Sequence, residues 1–150
     1  MRLNLPFYRQ ETPFSCVPAC LRMVLAGFGV DLDEAALREL CDCTALGTEA
    51  FRAVEAVRRL GFPNSMKCNV SVEGLDVELA QGRYPIVYVN LLPIDGVRTS
   101  HAVVVVDADA ENVTVYDPLV GKRVLPRSAF EQAWRLSNCL MILILGDSEF

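Results

Sequence analysis

The chain has 150 residues, 52% of them hydrophobic and 22% charged, which suits one packed domain spanning 1–150 and argues against disorder. A net charge of −5 with scattered Lys and Arg speaks against a nucleic-acid partner, which selects a basic face. The longest apolar runs, 102–106 and 139–145, fall far short of the roughly 20 residues of a membrane helix. Residues 1–9 lack the apolar run of a signal peptide, so a soluble cytoplasmic protein is expected.

Residues 3–8 read as an extended lead-in, which Pro6 confines to an edge or a loop. Pro13 keeps Thr12 extended, so residues 10–15 form a loop. Ser15 is the expected N-cap of a helix whose first turn contains Pro18, where the missing N–H costs nothing. Cys20, Leu21, Met23, Val24 and Leu25 place apolar groups most of the way round, so this helix is buried; Gly27 and Gly29 end it. A second helix follows Asp31 or Asp33 as cap, with Leu37 and Leu40 inward, and ends near Cys41. A third runs over 48–60, capped by Thr48, with Phe51, Val54, Val57 and Leu60 as its stripe and Gly61 as its end.

The period then changes. Strands are predicted over 66–72, 85–91, 101–106, 112–116, 122–125 and 139–145, with a short helix over 75–80 and a last one from a Ser128 cap through Trp134. Helices first and strands later argue an α+β fold with a mainly antiparallel sheet.

The loop and first helix concentrate chemistry. Gln10 lies six residues before Cys16, and Cys16 opens the helix. A helix N-terminus carries partial positive charge that favours a thiolate over a thiol, and its unbonded amides can hold an oxyanion. Gln10 can add a second oxyanion donor. His101, the sole histidine, begins a strand after a turn-rich loop and is the candidate base. Asp107, six residues along that strand, would be roughly 20 Å away and cannot orient the ring. If the turn 107–111 is symmetric about position 109, His101 stands directly across from Asp117, roughly 5 Å apart at Cβ. Cys16, His101 and Asp117 then form a nucleophile, a base and its orienter. The structural reading of Asp117-Pro118 as a simple turn starter remains open beside this one.

The other cysteines, at 20, 41, 43, 68 and 139, read mostly as small buried hydrophobes. A zinc site would pair Cys16 and Cys20 with Cys41 and Cys43, in spacings unlike those of zinc ribbons. No cofactor is expected.

These residues resemble the papain-like cysteine peptidases, and within them the bacteriocin-leader-processing family that cleaves after double-glycine motifs. The likeness rests on the Gln10–Cys16 spacing, the helix from Cys16 to Leu25, and Gly47-Thr48 before a helix ending Leu60-Gly61-Phe62. It continues through Ser100-His101 and its valines, Tyr116-Asp117-Pro118 with a following glycine, and Phe130 and Trp134 in the last helix. The resemblance implies a papain-like fold with N-terminal helices on the sheet. It implies a catalytic set of Cys16, His101, Asp117 and Gln10, a peptide or protein substrate, and cleavage after a Gly-Gly-type leader. Val17 departs from the family, which commonly has glycine after the nucleophile. Family members are often the N-terminal domain of an ABC exporter, so association with an exporter is implied, whereas this chain contains no membrane segment. Two other readings use the same residues: a catalytically silent peptide-binding module, and an acyl or amide transferase working through the same thioester.

Overall fold

The computed structural model describes residues 4–146; Leu3, where the expected lead-in starts, lies outside them. Three helices come first: α1 (Cys16–Gly27), α2 (Glu34–Leu40) and α3 (Ala50–Arg59). The rest alternates as β1 (Met66–Asn69), α4 (Gly74–Ala80), β2 (Ile86–Asn90), α5 (Leu92–Asp95), β3 (Ser100–Ala108), β4 (Asn112–Asp117), β5 (Gly121–Pro126), α6 (Arg127–Arg135) and β6 (Leu140–Leu143). The six strands form one sheet in the order β1-β6-β2-β3-β4-β5, and every neighbouring pair is antiparallel.

Helices cover both faces of this sheet, which explains why its central strands are apolar throughout rather than alternating. One face buries Ile86, Ala102, Val104 and Ile142 against α1 and α3. The other buries Val87, Val89, Val103, Val105, Val113 and Val115 against α4 and α6. α1 is buried nearly all round, as its composition predicts, and packs between the sheet and α2 and α3. Phe130 and Trp134 are fully buried in α6, and Trp134 Nε1 donates to the Leu140 carbonyl at 2.9 Å. Burying a large aromatic side chain stabilises by about 3 kcal/mol, so α6 is a principal anchor of the second face.

Several local expectations are corrected. Asp33 caps α2, accepting from the Ala36 amide, but Thr48 does not cap α3, because the N-cap position is Glu49. Phe51 is exposed; the inward stripe of α3 is Ala50, Ala53, Val54 and Val57, small enough to let the helix lie close. α6 begins one residue before Ser128, after Pro126. The first and last strands are shorter than expected.

The β3–β4 hairpin differs in register. Its turn is the four residues Asp109 to Asn112, closed by Asp109 N–H to Asn112 C=O at 2.9 Å. Asp109 Oδ1 also accepts from the Glu111 and Asn112 amides, at 2.8 and 2.7 Å. Next to the turn Ala108 faces Val113 and Asp107 faces Thr114, so paired positions sum to 221. Val106 is then an extra, bulged residue, and beyond it Val105 faces Val115 and Val104 faces Tyr116, summing to 220. The symmetric turn about position 109 required 218, so His101 is not directly across from Asp117. One further step of the ladder sets Val103 opposite Asp117, with His101 two residues on, along the diagonal.

Candidate active site

Cys16 is the first residue of α1, half-buried at the wall of a cleft of about 300 Å³ that also exposes Phe14, Leu46, Thr48, Tyr88, Ser100 and His101. The cleft continues past Gly47 and Thr48 into a second depression of about 550 Å³ edged by Asp42, Glu49 and Arg52. Ser15 occupies the N-cap position, but its buried hydroxyl accepts from the Thr12 amide at 3.1 Å and donates to the Thr12 carbonyl at 3.2 Å. No side chain caps the first turn among the described residues. Pro18 contributes no donor, so the amides of Cys16 and Val17 stay uncapped at the positive end of the helix. Ser15 thus shapes the loop instead of quenching the helix end.

The loop before Cys16 is tied down at three points. Gln10 N–H donates to the Pro118 carbonyl at 2.8 Å, next to Asp117. Glu11 N–H donates to Glu34 Oε1 at 2.9 Å, and Glu34 is wholly buried. The Arg22 guanidinium sits 3.9 Å from the centroid of the Tyr8 ring. The Gln10 side chain spends one N–H of Nε2 on the Thr12 carbonyl at 2.8 Å, and its Oε1 is buried with no hydrogen-bond partner among the described residues. The second N–H of Nε2 remains available, since a carboxamide nitrogen carries two.

His101 and Asp117 are 6% and 2% exposed, and His101 Nε2 meets Asp117 Oδ1 at 2.7 Å. An ionised carboxylate only accepts, so Nε2 carries the proton and Nδ1 is left for another partner. Cys16 shares the cleft with this ring and acts on it as a hydrogen-bond partner that raises its pKa. Burial alone would lower the pKa of His101. The Asp117 hydrogen bond, then that of Cys16, and the charges of both outweigh burial, and the imidazole is pushed up to about 9. Burial would raise the Asp117 carboxyl. The hydrogen bond and charge of His101, the Leu119 amide at 2.9 Å and the charge of Arg123 hold it below the usual carboxylate range.

The structure therefore brings Cys16, His101 and Asp117 together, with Gln10 tethered beside them. Tyr88 lines the cleft, its hydroxyl donating to the Thr48 carbonyl at 2.9 Å. Asn90 does not; its Oδ1 accepts from the Leu92 amide. Sequence reasoning missed Glu34, Thr48 and Arg123, whose roles depend on distant chain segments that meet only in the fold. All six cysteines are free. Burial pushes the thiols of Cys20, Cys68 and Cys139 up, and that of Cys41 up to about 12. Among the described residues no three of His, Cys, Asp and Glu are grouped to hold a metal ion, and no helix is long and apolar enough to cross a membrane.

The sequence matches the model of the Peptidase C39 family over residues 4–144. An uncharacterized protein of Methanothermobacter marburgensis is 31% identical over 135 residues, covering 89% of this chain and 85% of its own. The peptidase domain of Streptococcus ComA, described as a bi-functional ABC transporter involved in a quorum-sensing pathway, superposes with a TM-score of 0.80 at 25% identity, over 97% of this chain and 100% of that one. A double-glycine-motif protease from an AMS/PCAT transporter, solved with its leader peptide, shares the fold at 19% identity, with a TM-score of 0.73 over 96% of this chain and 94% of its own. The expected α+β, papain-like fold is the fold found.

Proposed function

The chain belongs to the Peptidase C39 family, and from that premise we propose that it is a cysteine peptidase that hydrolyses a peptide bond through Cys16, His101 and Asp117, with Gln10 as an oxyanion donor. The observation that carries this reading is the buried 2.7 Å bond between His101 Nε2 and Asp117 Oδ1, beside a half-buried thiol at an uncapped helix N-terminus.

His101 Nδ1 takes the proton of Cys16, giving a thiolate and an imidazolium. Asp117 holds the ring in that tautomer and favours its charge. Cys16 Sγ attacks the scissile carbonyl carbon. The developing oxyanion meets the Cys16 amide and the free N–H of Gln10. The imidazolium then returns its proton to the leaving amine, and the acyl group stays on sulfur as a thioester. Water, deprotonated by His101, attacks that thioester and releases the acid and the thiol.

Two related solved domains come from transporters, and one of them, a double-glycine-motif protease, was captured with its leader peptide. We extend this to a peptide substrate with a Gly-Gly-type cleavage site, and to action beside an exporter in a reducing compartment, where six free cysteines persist. Residues 1–150 serve as one peptidase domain. One observation favours a silent peptide-binding module instead: Gln10 already donates to Thr12.

Iodoacetamide labelling, located by mass spectrometry, separates these readings, with half-buried Cys43 as internal reference. A competent pair labels Cys16 faster than Cys43, and His101→Ala slows it by at least about tenfold. Labelling of Cys16 that ignores the loss of His101 sinks the peptidase reading. Incubation with a Gly-Gly leader peptide, with and without an added amine, distinguishes hydrolysis from acyl transfer by the mass of the product.

A further inference from the structure

Behind the His101–Asp117 pair lies a third charged layer. Arg123, on β5, forms a bidentate pair with Asp95 at the end of α5, at 2.7 and 3.0 Å. Its Nη1 also lies 3.4 Å from Asp117 Oδ2. Asp117 therefore meets His101 with one oxygen and Arg123 with the other. The Leu119 amide holds Oδ1 independently at 2.9 Å, so the bond to the ring does not need Arg123 to keep its place.

We propose that Arg123, anchored by Asp95, is a positioning residue that sets the basicity of His101 by sharing the charge of Asp117. The consequence for catalysis rests on the peptidase reading above; the titration of the ring does not. The charged and titratable groups facing His101 and Asp117 are Cys16 and the buried Cys20 of α1, Asp95 of α5 and Arg123 of β5, with Tyr88 of β2 in the same cleft. Burial pushes the Tyr88 phenol up, so it stays neutral. Asp117 and His101 both act on the charge of Asp95, which places all four side chains in one electrostatic unit. A base for amide cleavage must also give its proton back to the leaving amine, and an imidazolium bound too tightly to Asp117 does so slowly. Arg123 draws on the far side of the carboxylate and keeps the ring able to release.

The alternative is a plain staple joining α5 to β5. Two substitutions break the same Asp95–Arg123 bond and separate the ideas, because they remove opposite charges. Arg123→Gln strips a cation and frees the Asp95 carboxylate, so the titration midpoint of His101 rises by roughly half a unit or more. Asp95→Asn strips an anion and turns Arg123 wholly onto Asp117, so the midpoint falls. Arg123→Lys returns it toward the wild-type value. The chain has a single histidine, so one pair of imidazole C–H resonances reads each variant by NMR in the absence of substrate. Shifts of the same sign in the two variants, or no shift in either, would overturn the proposal. If Arg123→Gln does not fold, a midpoint that stays or rises in Asp95→Asn overturns it alone. With the Gly-Gly peptide as substrate, Arg123→Gln lowers kcat and leaves KM, and moves the alkaline limb of the pH profile upward. Opposite-signed shifts without any peptide cleavage would uphold the charge path and reject the peptidase reading.

Discussion

His101 meets Asp117 along a diagonal: Nε2 lies 2.7 Å from Oδ1, although the ladder's last rung pairs Val104 with Tyr116 and one step further on Val103, not His101, would stand across from the aspartate. Burying the ring is the largest single influence and lowers its pKa, but the hydrogen bonds and charges of Asp117 and Cys16 together outweigh it, so the imidazole binds its proton up to about pH 9. The NMR midpoint of the lone histidine is expected near that value. Asp117→Asn lowers it more than Cys16→Ala does, since the bond to Asp117 raises it more than the bond to Cys16. A wild-type midpoint at or below 6.5 contradicts the geometry.

The same raised value makes stability depend on pH. The folded ring holds its proton more tightly than the unfolded one, so the protonated ring stabilises the fold fully below pH 6.5. That contribution disappears as pH rises through 9. The gap from 6.5 to about 9 is worth on the order of 3 kcal/mol. Urea unfolding at pH 6 and 9.5 should show a drop in wild type that is much smaller in His101→Asn.

Gln10→Ala tests the oxyanion donor. Among the described residues its side chain makes one hydrogen bond, to Thr12, so the melting temperature changes little, while kcat falls on the order of a hundredfold and KM holds. An unchanged kcat removes Gln10 from the mechanism.

Glu34 is a buried carboxylate whose visible work is to hold the Glu11 amide and meet Arg38 at 3.4 Å. Glu34→Ala leaves that amide without its acceptor and costs about 1–3 kcal/mol in denaturant unfolding. Glu34→Gln keeps an acceptor oxygen and loses less. If the two variants are equally destabilised, the amide contact is not what Glu34 supplies.

Leu46 is 99% exposed at the rim of the cleft, an apolar side chain placed where a peptide in the cleft would cover it. Leu46→Asp should leave stability unchanged and raise KM for the Gly-Gly peptide with kcat nearly constant. A change in kcat alone argues that Leu46 is not a substrate contact.

Much of this was legible in the chain. The helix behind Cys16 carried apolar residues on every side, and only a buried helix tolerates that. His101 and Asp117 were separable from Asp107 by strand length alone. What escaped was set by contacts between distant segments. The expected turn, symmetric about position 109, is displaced toward Asn112, where Asp109 Oδ1 accepts from the Glu111 and Asn112 amides and Arg127, paired with Asp76 on α4, donates to the Asp109 carbonyl at 2.9 Å. Phe51 looked like core because the period fitted, but Ala50, Ala53 and Ala56 are what closely packed helices leave room for. Ser15 looked like a cap, and Thr12 took its hydroxyl.

The bulge at Val106 gives the hairpin an arithmetic of its own. The turn alone, with its sum of 221, would send His101 and Asp117 to opposite faces; the extra residue changes the sum to 220 and returns them to one face. The segment between the two catalytic candidates therefore obeys an odd-or-even rule. A single residue gained or lost there separates ring from carboxylate while every strand still finds a partner. Two residues gained in the turn cost only loop entropy and keep the pair. Length drift among relatives should pass through this hairpin in steps of two, unless a bulge is created or erased at the same time.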